Sequence, residues 1–264
     1  MIKQVFDCIK RFFPYKIKGQ NNKIYLVLKG QKKELKQRLK GLNIEITGHN
    51  NIITLHLPVY FKDTKIEING SNSSFEMLPA TCYMRSTKFY LEKNSHVYIG
   101  SRSRFNTRNI NVIMDNASEC KHYNLTIGDD VQVGEDVIIR NADGHAIYNL
   151  GEKEPYNEPQ NIILGDYVWI GTRSIILKGS EIPSQTVVGA KSIINKKFTE
   201  TNTIIAGTPA KVIKKGIRWT HEDYGQAIDR INKEKTLTDN SKMKNLIKQK
   251  IKRNILKLKL KMFF

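Results

Sequence analysis

Between residues 127 and 194 aliphatic side chains recur every six positions, first at Ile127, Val133 and Ile139, then at Leu164, Ile170, Ile176, Ile182, Val188 and Ile194. Four places after each of the first five members of the second run stands a small or β-branched residue: Val168, Ser174, Ser180, Thr186 and Ser192. A period of six matches neither the turn of an amphipathic helix nor the alternation of a half-buried strand. It predicts a parallel β-helix, in which each hexapeptide supplies a short strand and a corner. The aliphatic residue then lands inside on every turn, and neighbouring coils bury one another. Three hexapeptides close one triangular coil. Glycine follows the aliphatic position at Gly128, Gly134, Gly165, Gly171 and Gly189, which predicts corners whose backbone angles cost glycine little.

The rhythm breaks once. The slot after Ile139 holds His145, and Leu164 lies 25 residues beyond Ile139, one more than four hexapeptides, so chain has been inserted. Residues 146–161 carry two prolines and few apolar side chains, which predicts an extruded surface loop. Loops on rigid scaffolds commonly carry function. Upstream runs a looser repeat, I-x-G-x-N-[N/S], beginning at Ile17, Ile46 and Ile68. Between 90 and 126 there are apolar runs at Val97 to Ile99 and Ile110 to Met114, without a hexapeptide phase. The expected organisation is therefore a basic amphipathic segment over 1–14, irregular coils over 15–126, regular coils over 127–215 with their loop at 146–161, and a strongly basic helical region over 216–264. The fold class is all-β repeat with short basic helical ends.

Charge changes the picture at both ends. Residues 1–40 hold 12 Lys/Arg against 2 Asp/Glu, residues 242–264 hold 9 against none, and the 23 basic and 23 acidic residues between them cancel. Near the C-terminus Leu246, Ile247, Ile251, Ile255 and Leu258 fall at helical spacing among lysines, a pattern suited to an anionic membrane surface or to packing on a partner. Nucleic acid is not expected, because the neutral middle has no recognition motif. No apolar run approaches the roughly 18 residues of a membrane span, and no signal architecture opens the chain, which predicts a cytoplasmic protein peripheral to the inner membrane surface. Cys8, Cys82 and Cys120 are unpatterned, so neither a disulfide framework nor a zinc site is expected.

The chemistry points to the break. Arg140-Asn-Ala-Asp-Gly-His-Ala-Ile-Tyr148, Tyr167-Val-Trp-Ile-Gly171 and Ala206-Gly-Thr-Pro-Ala-Lys-Val-Ile213, together with the hexapeptides, resemble the hexapeptide-repeat acyltransferases with a left-handed parallel β-helix. The D-G-H-x-I-Y form and Lys214-Lys-Gly-Ile-Arg-Trp219 resemble the bacterial polysaccharide and sialic acid O-acetyltransferases within them. The resemblance covers about residues 125–219. It implies a homotrimer with acetyl-CoA in the groove between two β-helices, a carbohydrate acceptor, and His145 as general base. An imidazole can take the proton of a sugar hydroxyl as it attacks a thioester, so no acyl-enzyme is needed. Asp143 would orient the imidazole or engage the acceptor. Trp169, at a position of its hexapeptide where no core residue is expected, would line the site and offer an N–H donor. Trp169, Gly171, Gly189, Ala190, Lys191, Lys196 and Lys211 are the implied acetyl-CoA contacts, and Arg140 and Tyr148 the acceptor contacts. No metal spacing is present. The expected activity is acetyl transfer from acetyl-CoA to a hydroxyl of a bacterial surface glycan. The rivals are N-acetylation of a nucleotide-linked amino sugar and a non-catalytic β-helix scaffold.

Overall fold

The computed structural model describes residues 15–80, 83–105, 107–116 and 119–261. The predicted segment 1–14, Cys8 and Cys82 lie outside them. The chain forms two units, Met1–Trp219 and Thr220–Phe264.

The first unit is a parallel β-helix with three faces. One face stacks eight parallel strands from Lys16–Lys18 to Ile193–Ile194. The second stacks seven from Lys23–Leu28 to Glu181–Ile182, with the antiparallel strand Gln31–Glu34 at its N-terminal edge. The third carries Tyr60–Lys62 paired with Tyr83–Arg85, then Gln132–Val133, Trp169–Ile170, Val187–Val188 and Thr203–Gly207, closed by the antiparallel strand Ala210–Lys215.

The six-residue period is a packing rule. Ile127, Leu164 and Ile182 form one column, Val133, Ile170, Val188 and Ile205 a second, and Ile139, Ile176 and Ile194 a third, each at most 1% exposed. Burying each such side chain stabilises by about 1.5–3 kcal/mol. The intervening Val168, Ser174, Ser180, Thr186 and Ser192 are also fully buried. Ser174 and Ser180 donate to the carbonyls of Gly189 and Ile194, both at 3.0 Å, so their hydroxyls are satisfied inside the core.

The glycines after the aliphatic position have a different cause from the expected one. None of the five takes left-handed backbone angles. A Cβ at Gly128 would lie 2.4 Å from an Asp166 carboxylate oxygen, and one at Gly171 would lie 2.6 Å from the Ala190 nitrogen. The requirement is room for the next coil. The left-handed residues come two positions later, at Asp130, Asp136, Tyr167, Arg173 and Lys191.

The earlier coils are wider. Ile176 pairs with Ile194, eighteen residues on, whereas Ile46 pairs with Ile68, Ile68 with Leu91 and Leu91 with Met114, twenty-two or twenty-three residues on. Larger side chains fill them. Phe75, Phe89 and Phe105 are buried with ring centroids 4.9 and 6.3 Å apart. The loose motif marks one corner: Asn21, Asn50, Asn72 and Asn94 are all left-handed, and each side-chain amide donates to the next at 3.2, 3.2 and 3.4 Å.

The second unit contains the helix Tyr224–Lys261, whose 38 residues make it a longer element than the short segment read from the sequence. Asp223 and Gln226 cap its start reciprocally: the Gln226 N–H donates to Asp223 Oδ1 at 2.8 Å, and the Asp223 N–H to Gln226 Oε1 at 3.1 Å. No helix among the described residues is long and apolar enough to cross a membrane. The side chains of Leu246, Ile247, Ile251, Ile255 and Leu258 lie outside the described ones.

Candidate functional site

The site begins where the chain leaves the coil. Asn141 is fully buried beneath the exit: its Oδ1 accepts the Asp115 N–H at 2.8 Å, and its amide donates to the Asp115 carbonyl at 3.1 Å. From Asp143 to Tyr156 the chain is exposed. The insertion folds back on itself, with Tyr148 bridged to Pro155 and the Tyr156 N–H donating to the Ile147 carbonyl at 3.0 Å.

One asparagine fastens its base. The Asn157 amide donates to Asp143 Oδ2 and to the His145 carbonyl, both at 2.8 Å, and its Oδ1 accepts the Ile147 N–H at 2.7 Å. Lys178 closes the arrangement, donating to Asp143 Oδ2 at 2.5 Å and to the Asn157 carbonyl at 2.8 Å. The Lys178 ammonium, aided by the Asn157 amide, holds the Asp143 carboxyl below the usual carboxylate range against the opposing effect of burial. On the other side Glu158 accepts from Tyr123 Oη and Lys121 Nζ, both at 2.6 Å. His145 is thus placed through its own main chain. Its imidazole is exposed and makes no hydrogen bond among the described residues.

Asp143 is therefore engaged by Lys178 and Asn157, and the structure gives it no hydrogen bond to the imidazole it was expected to orient. Arg140 points its Nη2 at Asp115 Oδ2, 3.2 Å away. Gly144, at φ +88°, lets the guanidinium pass, since a Cβ there would sit 2.7 Å from Arg140 Nη2. Tyr148 is half exposed on the loop. Asn157 and Lys178 were not anticipated.

Trp169 lies on the third face, where Ile170 beside it points inward and the indole is 44% exposed. Its ring centroid is 5.9 Å from that of Trp219, whose Nε1 donates to the Tyr167 carbonyl at 2.5 Å. Trp219 is a second wall missed as a site residue, although it closes the quoted K-K-G-I-R-W run. His145 follows a strand of the first face, and no hydrogen bond or ring contact among the described residues joins it to Trp169.

Of the predicted acetyl-CoA contacts, Gly171 and Gly189 are small because coils stack against them: a Cβ on Gly189 would meet the Ala206 Cβ at 2.8 Å. They leave a low wall with the exposed Ala190. Lys191 and Lys211 are exposed and have no ion-pair partner among the described residues, whereas Lys196 lies 5.3 Å over the Phe198 ring. The described residues contain no group of three or more His, Cys, Asp or Glu able to hold a metal ion.

No family model matches the chain. It is 34% identical over 136 residues to the polysialic acid O-acetyltransferase of Escherichia coli O1:K1 / APEC, a match covering 52% of this chain and 42% of that protein. It is 32% identical over 127 residues to the galactoside O-acetyltransferase of Escherichia coli strain K12, covering 47% and 57%. The chain thus spans about half the length of these curated relatives. The crystal structure of the polysialic-acid-specific acetyltransferase NeuO superposes with a TM-score of 0.67 at 27% identity, covering 80% of this chain and 89% of that one. Hexapeptide columns, interrupted coil and matched relatives agree in likening the chain to the hexapeptide-repeat acyltransferases with a left-handed parallel β-helix.

Proposed function

We propose that the protein transfers an acetyl group from acetyl-CoA to a hydroxyl of a bacterial surface glycan, with His145 as general base. The observation that carries this reading is the exposed imidazole at the single interruption of the repeat, set there by a fastened loop base. The imidazole accepts the hydroxyl proton as the sugar oxygen attacks the thioester carbonyl. The tetrahedral adduct then collapses, its C–S bond breaks, and the imidazolium returns the proton to the departing CoA thiolate. Trp169 offers its indole N–H to the acceptor or the developing oxyanion. The low wall at Gly171, Gly189 and Ala190 accommodates the pantetheine, and Lys191 and Lys211 meet the phosphates. Asp143 acts as a positioning residue, holding the loop base that carries His145.

Assembly as a homotrimer is part of the proposal. It is supported by the placement of His145 and Trp169 on different faces of one chain, and by a loop that leaves Ile147, Tyr148, Leu150 and Tyr156 exposed. Attachment to an anionic membrane surface is supported by the nine basic and no acidic residues after position 241. The test is mass spectrometry of sialylated and neutral glycans incubated with acetyl-CoA. An alkali-labile acetyl ester on the glycan is the expected result. An alkali-stable acetyl on an amino sugar would contradict O-transfer, and no gain on any glycan would contradict the activity.

A further inference from the structure

The third face carries an outward column of which the transfer chemistry uses only Trp169. Phe61, Met84, Phe105, Val133 and Ile170 are buried, so alternation turns Tyr60, Tyr83, Arg104, Gln132 and Trp169 outward. The ladder is continuous. Tyr60 pairs with Tyr83, the Arg85 N–H donates to the Phe105 carbonyl at 2.7 Å, Arg104 bridges Gln132, and Gln132 pairs with Trp169. Tyr60, Tyr83 and Trp169 are 41%, 47% and 44% exposed.

The polar members are matched to one another. The Tyr60 and Tyr83 ring centroids are 5.6 Å apart, and the Arg85 guanidinium carbon lies 5.6 Å over the Tyr83 ring. Arg104 Nε is buried without a hydrogen-bond partner, and neither arginine has an ion-pair partner among the described residues. Other outward cations of the β-helix are neutralised locally, as Lys65 is by Glu45 and Glu67, and Arg102 by Asp130, although Lys191 and Lys211 are not. Beyond Trp169 the column turns aliphatic, at Val187 and Ile204. Aromatic rings and uncompensated guanidiniums therefore run toward Trp169 from the N-terminal side and stop there.

We infer that this column is a binding track for a carboxylate-bearing glycan chain, leading it to the site at Trp169. The apolar C–H face of a sugar ring stacks on an exposed tyrosine, and a guanidinium pairs bidentately with a carboxylate. Adjacent strands are about 4.8 Å apart, so the four steps from Tyr60 to Trp169 span about 19 Å, enough for several sugar units. The track therefore selects chains over single sugars. This inference rests on the glycan-transfer reading, which supplies the reason for delivering a chain to Trp169.

The test uses the full chain with Tyr83→Ala and Arg104→Gln combined, and Tyr60→Ala as a second variant at an exposed position. Binding of long polysialic acid chains is measured without acetyl-CoA, and transfer is measured with long chains and with a dimer of the same sugar. The double variant is expected to raise Kd and KM for the long chain about tenfold or more, the scale of a lost stacking anchor and paired charge, with kcat and the dimer kinetics unchanged. Tyr83→Phe should keep binding, and carboxyl-reduced chains should bind the unaltered protein about as weakly as long chains bind the double variant. Unchanged long-chain binding in both variants would overturn the track, as would a changed oligomeric state in sedimentation, which would make the column a contact between copies. Normal transfer with unchanged binding defeats the track alone. Loss of binding in a protein that acetylates no glycan defeats the transfer reading alone.

Discussion

The wide coils before residue 115 and the tight coils after residue 162 close the same three-faced solenoid by different means. The tight coils reuse one short corner at Gly165, Gly171 and Gly189: an aliphatic residue, a residue small enough to pass the next coil, then a left-handed position two places on. The wide coils have corners of unequal length, and they hold register through the asparagine ladder and a core that includes three phenylalanines. Strict sequence periodicity is thus what a coil of minimum circumference requires. Once the coil is wider, side-chain hydrogen bonds and bulk take over the job. The coil between the two regions combines tight columns with an inserted loop, and it is there that polar groups gather without serving the core.

Breaking each closure separately sharpens this contrast. The largest effect is expected from Phe89→Ala, which empties the wide core and should cost about 3–5 kcal/mol in denaturant unfolding; Ile176→Ala in the tight core should cost about 2–5 kcal/mol. Next comes Gly171→Ala, expected to destabilise by about 1–3 kcal/mol because the new methyl meets main chain of the following coil. A neutral result would mean that tight coils tolerate expansion. Asn72→Ala removes two ladder hydrogen bonds and places alanine at φ +61°, for a cost of about 1–2 kcal/mol. Asn72→Gly relieves the backbone term alone, so a glycine variant as stable as the unaltered chain would remove the ladder from the account.

The smallest global effect belongs to the loop base. Both Asp143 and Lys178 are partly exposed, so Asp143→Asn should change unfolding free energy by less than about 1 kcal/mol. It should nevertheless speed amide exchange across residues 146–156. The sign of the pH dependence follows from the lowered Asp143 pKa: the anchor is fully present above the ordinary carboxylate range, near pH 3.9, and is lost as pH falls through the lower folded value. Exchange in the loop should therefore be flat with respect to anchoring at neutral and mildly acid pH and rise only under strong acid. Loosening near pH 6 would assign the anchor to another group.

Much of this was legible in the sequence because a solenoid writes its core at a fixed spacing. Ile127 to Ile194 named the columns, and the missing slot at His145 named the loop. The reason for Gly128 and Gly171 was not legible, since a left-handed corner and a close approach by the next coil both select glycine, and only the stacked neighbour tells them apart. Asn157 and Lys178 were invisible for a related cause. Each is an ordinary surface residue by type, and they meet Asp143 across 14 and 35 residues only once the loop folds over the next coil. The asparagine repeat was seen, but its hydrogen-bonded ladder needed coil lengths that the irregular region does not encode in one period.

The central claim is that the interruption of the repeat, and not the repeat, carries the chemistry. It is tested most directly by steady-state acetyl transfer with His145→Ala beside the unaltered chain, using the acceptor identified by mass spectrometry and with unfolding and CoA affinity measured on the same samples. The account predicts turnover lowered by about a hundredfold or more, with stability and CoA affinity nearly unchanged. A folded His145→Ala protein that turns over at close to the original rate would contradict it.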